Sequence, residues 1–365
     1  MNPSLLWIDA DRKFGFEDLV FFQGRGTQDF AARAAHIDTI VLGPHASAAF
    51  PVELQDFIAP NLTLRKQCDF SDIITASLGR AWVEADPHVV YIENPMSRLI
   101  QDPNRAPATD PMGALREFYQ RLKEQRAGAK ISFSGVDAIR PITFSGEQVL
   151  VEPVNHKQWQ VLEGILSSAV RRGVEVYTEC CEQVLFQVLA ARAPEAPLLL
   201  ISLHDTMNTK MRDDGAIVIE RPVADRLPRW VNFGNGGNTE GEVDNEPVTL
   251  DAGTLRRLAS AWADAFRLEG AERDESIWLN RPYKGAFETR HFGARLRTRQ
   301  NSAVGAVQVE FLRESLLGHA AVETLQQPGS DWPVINSMHL NKIATALAWA
   351  GHILRTTLAT DIPFD

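Results

Sequence analysis

Two apolar segments that each run into a histidine constrain the fold of this chain more than any other feature. Residues 39–43 (TIVLG) lead through a proline into His45, and residues 198–203 (LLLISL) lead directly into His204. Short apolar runs that stop at turn formers are typical of buried strands. Open α/β sheets bind ligands at the carboxyl ends of their strands. A single histidine at a strand end would more often be structural, but the repeated arrangement predicts a pair of metal ligands at one sheet edge.

The size and charge of the chain limit its possible partners. With 365 residues, 44% hydrophobic, and no internal repeat or clear linker, the chain favours one elaborated α/β domain over two. We predict a single domain over residues 1–365, with an N-terminal extension at 1–35 and a C-terminal helical segment at 316–365. The net charge of -10 argues against nucleic-acid or membrane-surface binding. A local cluster of arginines could still bind a small anion.

The cysteines and the N-terminus indicate a compartment. The chain has three cysteines, Cys68, Cys180 and Cys181, and no CxxC pair. An odd count with two neighbours does not make a disulfide framework, so a reducing cytoplasm fits best. The N-terminus lacks a signal-peptide pattern, and no apolar run approaches the roughly 20 residues that span a bilayer. We therefore expect a soluble, cytoplasmic protein.

A metal held by two histidines needs a further ligand. Zinc in hydrolases is commonly bound by two histidines and one carboxylate, with a fourth position open. The nearby candidates are Glu53, Asp69 and Asp72. We favour Asp72, since it precedes a helical pattern close to the His45 strand. Its alternative role is that of a plain helix N-cap.

Hydrolysis also needs a general base, and Glu310 is the main candidate. It interrupts an alternating apolar strand at residues 303–312, where an ionised carboxylate is costly unless it is paired or near a metal. The alternative is an edge strand with Glu310 facing water. Asp205, next to His204, is a rival base, or it could orient a ligand imidazole.

Two further segments carry groups suited to binding an anion. Arg98 and Arg105 flank Asp102 in a loop after a predicted strand, and arginine forks bind carboxylates through two parallel hydrogen bonds. One of the two arginines could instead form a structural pair with Asp102. Residues 279–293 combine charges, aromatic rings and glycines in one loop, which favours either ligand binding or a solvated surface loop.

Taken in order, these segments resemble the N-formylglutamate amidohydrolase family. The matching pieces span roughly residues 36–315 and are residues 44–47, Asp72, 97–105, 203–205, 280–293 and 307–310. The resemblance implies a fold like that of the zinc carboxypeptidases, with a central mixed β-sheet flanked by helices. It also implies an amidohydrolase that cleaves a linear amide with water activated by a metal.

The resemblance implies a role for each candidate residue. One divalent metal ion, Zn²⁺ by this comparison, would be held by His45, Asp72 and His204, with Glu310 as the catalytic base. The substrate would be a small anionic N-acyl amino acid, with N-formylglutamate cleaved to formate and glutamate in histidine catabolism. Its carboxylates would be bound by a set of polar and basic residues, namely Arg98, Asn104, Arg105, Lys284 and Arg290.

The chain departs from the family pattern at several positions. Ala46 and Ser47 follow His45 where the family typically has serine and glycine, Asp205 stands in place of a serine, and residues 284–286 (KGA) replace a Gly-Gly pair. These differences concern the substrate more than the fold. They leave open a hydrolase of another N-acyl amino acid or small peptide, and a catalytically inactive relative that binds a small molecule.

Overall fold

The computed structural model describes residues 4–299, 301 and 303–360. The strands of this part are β1 (Trp7–Ile8), β2 (Val20–Phe22), β3 (Thr39–Gly43), β4 (Phe50–Pro51), β5 (Val89–Glu93), β6 (Leu198–Thr206), β7 (Thr209–Met211), β8 (Ile217–Glu220), β9 (Val231–Gly234), β10 (Ile277–Leu279) and β11 (Val304–Leu312). The helices are α1 (Phe16–Leu19), α2 (Phe30–Arg33), α3 (Leu64–Asp69), α4 (Ile73–Ala85), α5 (Pro111–Arg126), α6 (His156–Ala169), α7 (Glu175–Ala191), α8 (Ala252–Phe266), α9 (Gly270–Ser276), α10 (Phe287–Leu296), α11 (Arg313–Leu317), α12 (His319–Gln326) and α13 (Ser337–Thr360).

A seven-stranded mixed sheet in the order β10-β9-β11-β6-β3-β5-β2 forms the centre of the described chain. The four strands β11, β6, β3 and β5 run parallel. The edge strand β2 is antiparallel to β5, and β9 is antiparallel to β11. Helices cover both faces, so the predicted central mixed sheet flanked by helices is confirmed.

Alternation along the strands assigns each side chain of β6 to one face. Ile201 and Leu203 belong to the core under α4, α8 and α13, whereas Leu198 and Leu200 belong to the core under α7 and α10. A fully buried leucine or isoleucine contributes about 1.5–3 kcal/mol. Apolar burial on both faces therefore stabilises the position of β6 at the centre of the sheet.

Tyr91 of β5 is accommodated by glycines on two neighbouring elements. A Cβ atom at Gly79 of α4 would lie 2.6 Å from the tyrosine ring, and one at Gly43 of β3 would also collide with it. These glycines let α4 and β3 approach the fully buried ring. The close approach brings the N-terminus of α4, where Asp72 lies, to the end of β3.

The two ends of the chain add to this framework. Within residues 1–35, predicted as an extension, β2 pairs directly with β5, so this segment completes one edge of the sheet. The predicted C-terminal helix is present as α13 and packs against α4 and α8. Residues 1–3 and 361–365 of these two predicted segments lie outside the described residues. In the part of the chain that the structure covers, no helix is both long and apolar enough to cross a membrane.

Candidate active site

Three buried side chains converge at the carboxyl edge of the parallel strands. His45 Nδ1 lies 3.1 Å from Asp72 Oδ2 and 3.2 Å from His204 Nδ1, and His204 Nδ1 lies 3.0 Å from the same carboxylate oxygen. Ligand atoms at tetrahedral positions about 2.0–2.1 Å from a zinc ion would be about 3.3 Å apart. The spacing and the donor types therefore fit a group that could hold a metal ion.

Local structure brings Asp72 to the histidines. The backbone N–H of Asp72 donates to the carbonyl of His45 at 3.0 Å, which ties the start of α4 to the loop after β3. Asp72 occupies the N-cap position, but its side chain caps no backbone N–H. Of the other two candidates, Glu53 pairs with Arg172 at 2.6 Å, and Asp69 faces Arg313 at 3.7 Å.

The opposite nitrogen of His45 is held by a buried carboxylate. His45 Nε2 lies 2.7 Å from Asp102 Oδ1, and Asp102 also accepts from Arg98 and from the backbone N–H of Asn104. Burial would raise the pKa of Asp102, but the charges of Arg98 and His45 hold it well below its ordinary value. A carboxylate on the far nitrogen orients an imidazole and makes it a better metal ligand.

The opposite nitrogen of His204 contacts two polar groups. His204 Nε2 lies 2.9 Å from Ser202 Oγ and 3.1 Å from Asn104 Nδ2. The Ser202 hydroxyl donates to Glu288 Oε2 at 2.7 Å, and Tyr177 donates to Glu288 Oε1 at 2.8 Å. The serine oxygen can accept only when Nε2 carries the proton, and this tautomer leaves Nδ1 free to bind a metal.

The electrostatics of the three side chains follow from their mutual contacts. Burial lowers the pKa of His204 to about 4, in spite of its hydrogen bond with Asp72. Burial would raise the pKa of Asp72, but the charge of His45 and the hydrogen bonds with both histidines lower it below its ordinary value. Asp72 is therefore ionised and His204 neutral at pH 7, as metal binding requires. Burial and the charge of Arg98 would lower the pKa of His45, but Asp102 and Asp72 raise it above its ordinary value, so a metal has to displace a proton from this ring.

Glu310 lies opposite His204 in the parallel pairing of β11 with β6. Because β11 is an internal strand and Glu310 is only 6% exposed, the alternative of an edge strand facing water is wrong. Its Oε2 accepts from Gln308 at 3.1 Å, and no ion pair to it occurs among the described residues. Burial, followed by repulsion from Asp72 and Asp205, raises the pKa of Glu310 to about 8.

Asp205 points away from this group. It alternates with His204 along β6, lies on the other face of the sheet, and pairs with the buried Arg313. Burial raises the pKa of Asp205 to about 7, against the opposing charge of Arg313. Its side chain contacts neither histidine and does not line the cavity, so the geometry favours an ion pair beneath the site over a base or an imidazole partner.

A cavity of about 340 Å³ opens above the converging side chains. Four of the residues predicted to bind the substrate line it, namely Arg98, Asn104, Arg105 and Lys284. The fifth, Arg290, is exposed on α10, faces Glu246 at 3.3 Å, and is not part of the lining.

Several residues of the site were missed by the sequence reasoning. Ser202 is two residues before His204 on one strand, so period-two alternation could have placed both on one face. Glu288 lies within the predicted 279–293 loop but faces inward, where it is buried and bound to Ser202. Lys210 and Arg221 also line the cavity, and no local pattern marks them.

The model of the N-formylglutamate amidohydrolase family matches residues 37–317. A solved structure of N-formylglutamate amidohydrolase from Ralstonia eutropha is 16% identical, with a TM-score of 0.46, covering 86% of this chain and 93% of that one. A gene product from Agrobacterium tumefaciens is 15% identical, with a TM-score of 0.47, covering 89% and 93%. No curated protein matches the chain.

Proposed function

The chain belongs to the N-formylglutamate amidohydrolase family of amide hydrolases, and we propose that it is a metal-dependent hydrolase of a small anionic N-acyl amino acid. N-formylglutamate, cleaved to formate and glutamate, is the leading substrate, with histidine catabolism as the context. The observation that carries the proposal is the convergence of His45, Asp72 and His204 beside an unpaired, buried Glu310.

The ligand set suits one divalent ion, and two histidines with one carboxylate favour zinc. When bound, such an ion polarises the amide carbonyl and lowers the pKa of water. His45 and His204 would hold it through Nδ1 and Asp72 through Oδ2, because these atoms face one another. Asp102 and Ser202, on the far nitrogens, keep both rings oriented for that task.

Glu310 would act as the general base and then as the proton donor to the amide nitrogen. Gln308 occupies one of its oxygens, which leaves Oε1 to receive a proton from water. A carboxyl group in an apolar setting, with a pKa near the working pH, can both accept and return a proton.

Arg105 is the residue best placed to bind a substrate carboxylate. Its Nε donates to Asp137 at 2.9 Å and its Nη1 to the carbonyl of Asn104 at 3.0 Å, so Nη2 has no protein partner among the described residues. Arg98 acts instead through Asp102, and the side chain of Asn104 contacts His204 and accepts from the backbone N–H of Glu288. Lys284 lies at the rim, where it pairs with Asp244.

Metal analysis together with a substrate panel tests the proposal. The purified protein should contain about one zinc per chain, hydrolyse N-formylglutamate, lose activity to a chelator and regain it with zinc. His204→Ala should lose the metal. A purified protein that contained no metal and hydrolysed no member of a panel of N-acyl amino acids would refute the proposal. Metal without hydrolysis would indicate an inactive relative, and hydrolysis of another member would change the substrate.

A further inference from the structure

Two of the cations that line the cavity have no carboxylate partner among the described residues. Four other lining cations are neutralised in the ion pairs Arg98–Asp102, Arg105–Asp137, Lys284–Asp244 and Arg313–Asp205. Lys210 makes no ion pair in the part of the chain that the structure covers, and Arg221 donates only to neutral oxygens. Its Nη2 donates to the Tyr283 hydroxyl at 2.9 Å, and its Nη1 to the carbonyl of Met207 at 3.4 Å.

The hairpin β7–β8 places these two cations on one face. Lys210 pairs with Ile219 across the hairpin, and the backbone N–H of Arg221 donates to the carbonyl of Asn208 at 2.9 Å, in the same register. Directly opposed residues share a face, so Lys210 and Arg221 are diagonal neighbours, whose Cα atoms are typically about 7–8 Å apart. Both are half-buried, so their charges are only partly screened by water.

Two half-buried cations on one face of a hairpin, neither with a carboxylate partner among the described residues, leave positive charge uncompensated at the cavity wall. An anion that entered the cavity would compensate this charge, because each cation would gain a charge-assisted hydrogen bond. The hairpin is separate in sequence from the Arg98–Arg105 loop, so the cavity presents positive groups from two different segments. A ligand with two carboxylates could contact both.

We propose that Lys210 and Arg221 bind the side-chain carboxylate of the substrate, so that the cavity selects an acidic N-acyl amino acid over a neutral one. The proposal rests on the proposed function, since it takes the amide of the substrate to lie beside Glu310. Arg105 binds the α-carboxylate in this arrangement. Arg221 is held in position by Tyr283, and Lys210 supplies the second charge.

Charge-removing variants test this assignment with a pair of isosteric substrates. Lys210→Met and Arg221→Met should each lower kcat/KM for N-formylglutamate about 10- to 100-fold, mainly through KM. For N-formylglutamine, which has nearly the same shape but no side-chain charge, the change should stay within about threefold. The matched control is Arg212→Met, in the turn of the same hairpin, where the arginine pairs with Asp214 outside the cavity lining.

An unchanged ratio of kcat/KM for the two substrates in either variant would overturn the assignment, provided that metal content and circular dichroism match the wild type. If the wild type hydrolyses neither substrate, the proposed function fails, and calorimetric binding of L-glutamate against L-glutamine tests the cation pair alone. If the wild type prefers L-glutamate and the preference disappears in Lys210→Met and Arg221→Met, the assignment of the two cations is supported. If the wild type binds L-glutamate and L-glutamine equally, or binds neither, the assignment is overturned.

Discussion

Replacing Ser202 by alanine should weaken metal binding without disturbing the fold around His204. Ser202 Oγ lies 2.9 Å from His204 Nε2 and can accept from it in the tautomer that carries its proton on Nε2, which is the tautomer that leaves Nδ1 for a metal. The other neighbour of this nitrogen, Asn104 Nδ2 at 3.1 Å, can only donate. Without the serine, the favoured tautomer carries the proton on Nδ1, next to Asp72, and that nitrogen can no longer bind a metal.

The magnitude follows from the cost of the lost acceptor. A buried N–H left without a partner costs about 1–3 kcal/mol, and the metal-bound state alone bears this cost because it requires the proton on Nε2. Since 1.4 kcal/mol is tenfold in an equilibrium constant, zinc affinity should fall about 5- to 150-fold. This range agrees with the roughly 10- to 100-fold effects known for groups that orient metal ligands.

The assay is competition for zinc against a chromophoric chelator, with thermal unfolding of the metal-free protein measured in parallel. Tyr177→Phe is the matched control, because it removes the other hydroxyl bound to Glu288 and does not contact His204. The control should lower stability but leave zinc affinity within about threefold. Wild-type affinity in Ser202→Ala, or an equal loss in Tyr177→Phe, would refute the tautomer argument.

Three other predictions follow from groups described above. Glu310→Gln should retain zinc but lose about 10²- to 10⁴-fold in kcat, since an amide cannot accept the proton; normal turnover with full metal content would rule out this base. Gly79→Ala should destabilise the protein by about 1–3 kcal/mol in denaturant unfolding, because its Cβ would lie 2.6 Å from the Tyr91 ring. Gly164→Ala, at an exposed site of α6 with open space, should instead stabilise by about 0.5–1 kcal/mol, and equal effects would contradict the packing argument. Burial raises the pKa of Cys68 to about 12, so its thiol stays protonated at pH 8 and should resist iodoacetamide until the chain unfolds; mass spectrometry that found rapid native labelling would contradict this.

Strands that are buried on both faces could be predicted from the sequence. The strands β3 and β6 are covered on both faces and therefore read as continuous apolar runs. The edge strand β2 has only three residues and lies among charged neighbours, so its segment was interpreted as an extension. The order of the strands depends on contacts between distant segments, which no local pattern records.

Some residues of the candidate site could likewise be predicted from local sequence, and others could not. His45 and Glu310 stand out locally, one after a buried strand and the other as a charge inside an apolar strand. Asp102 was predicted next to arginines, but its contact with His45 depends on how the loop folds back. Lys210 and Arg221 meet the cavity only because a hairpin carries them there, so three-dimensional structure was needed to find them.

The parallel order of β11, β6, β3 and β5 has a consequence for the folding pathway. His45 and His204 are 159 residues apart, and parallel neighbours can be joined only by long crossover connections. Closing such loops is slow, because the chain loses entropy before the distant contacts form. The three ligand atoms are therefore expected to meet only after the central strands have paired. A metal that bound at this point would stabilise the finished native state by mass action, by about 2.7 kcal/mol at a free concentration 100 times Kd.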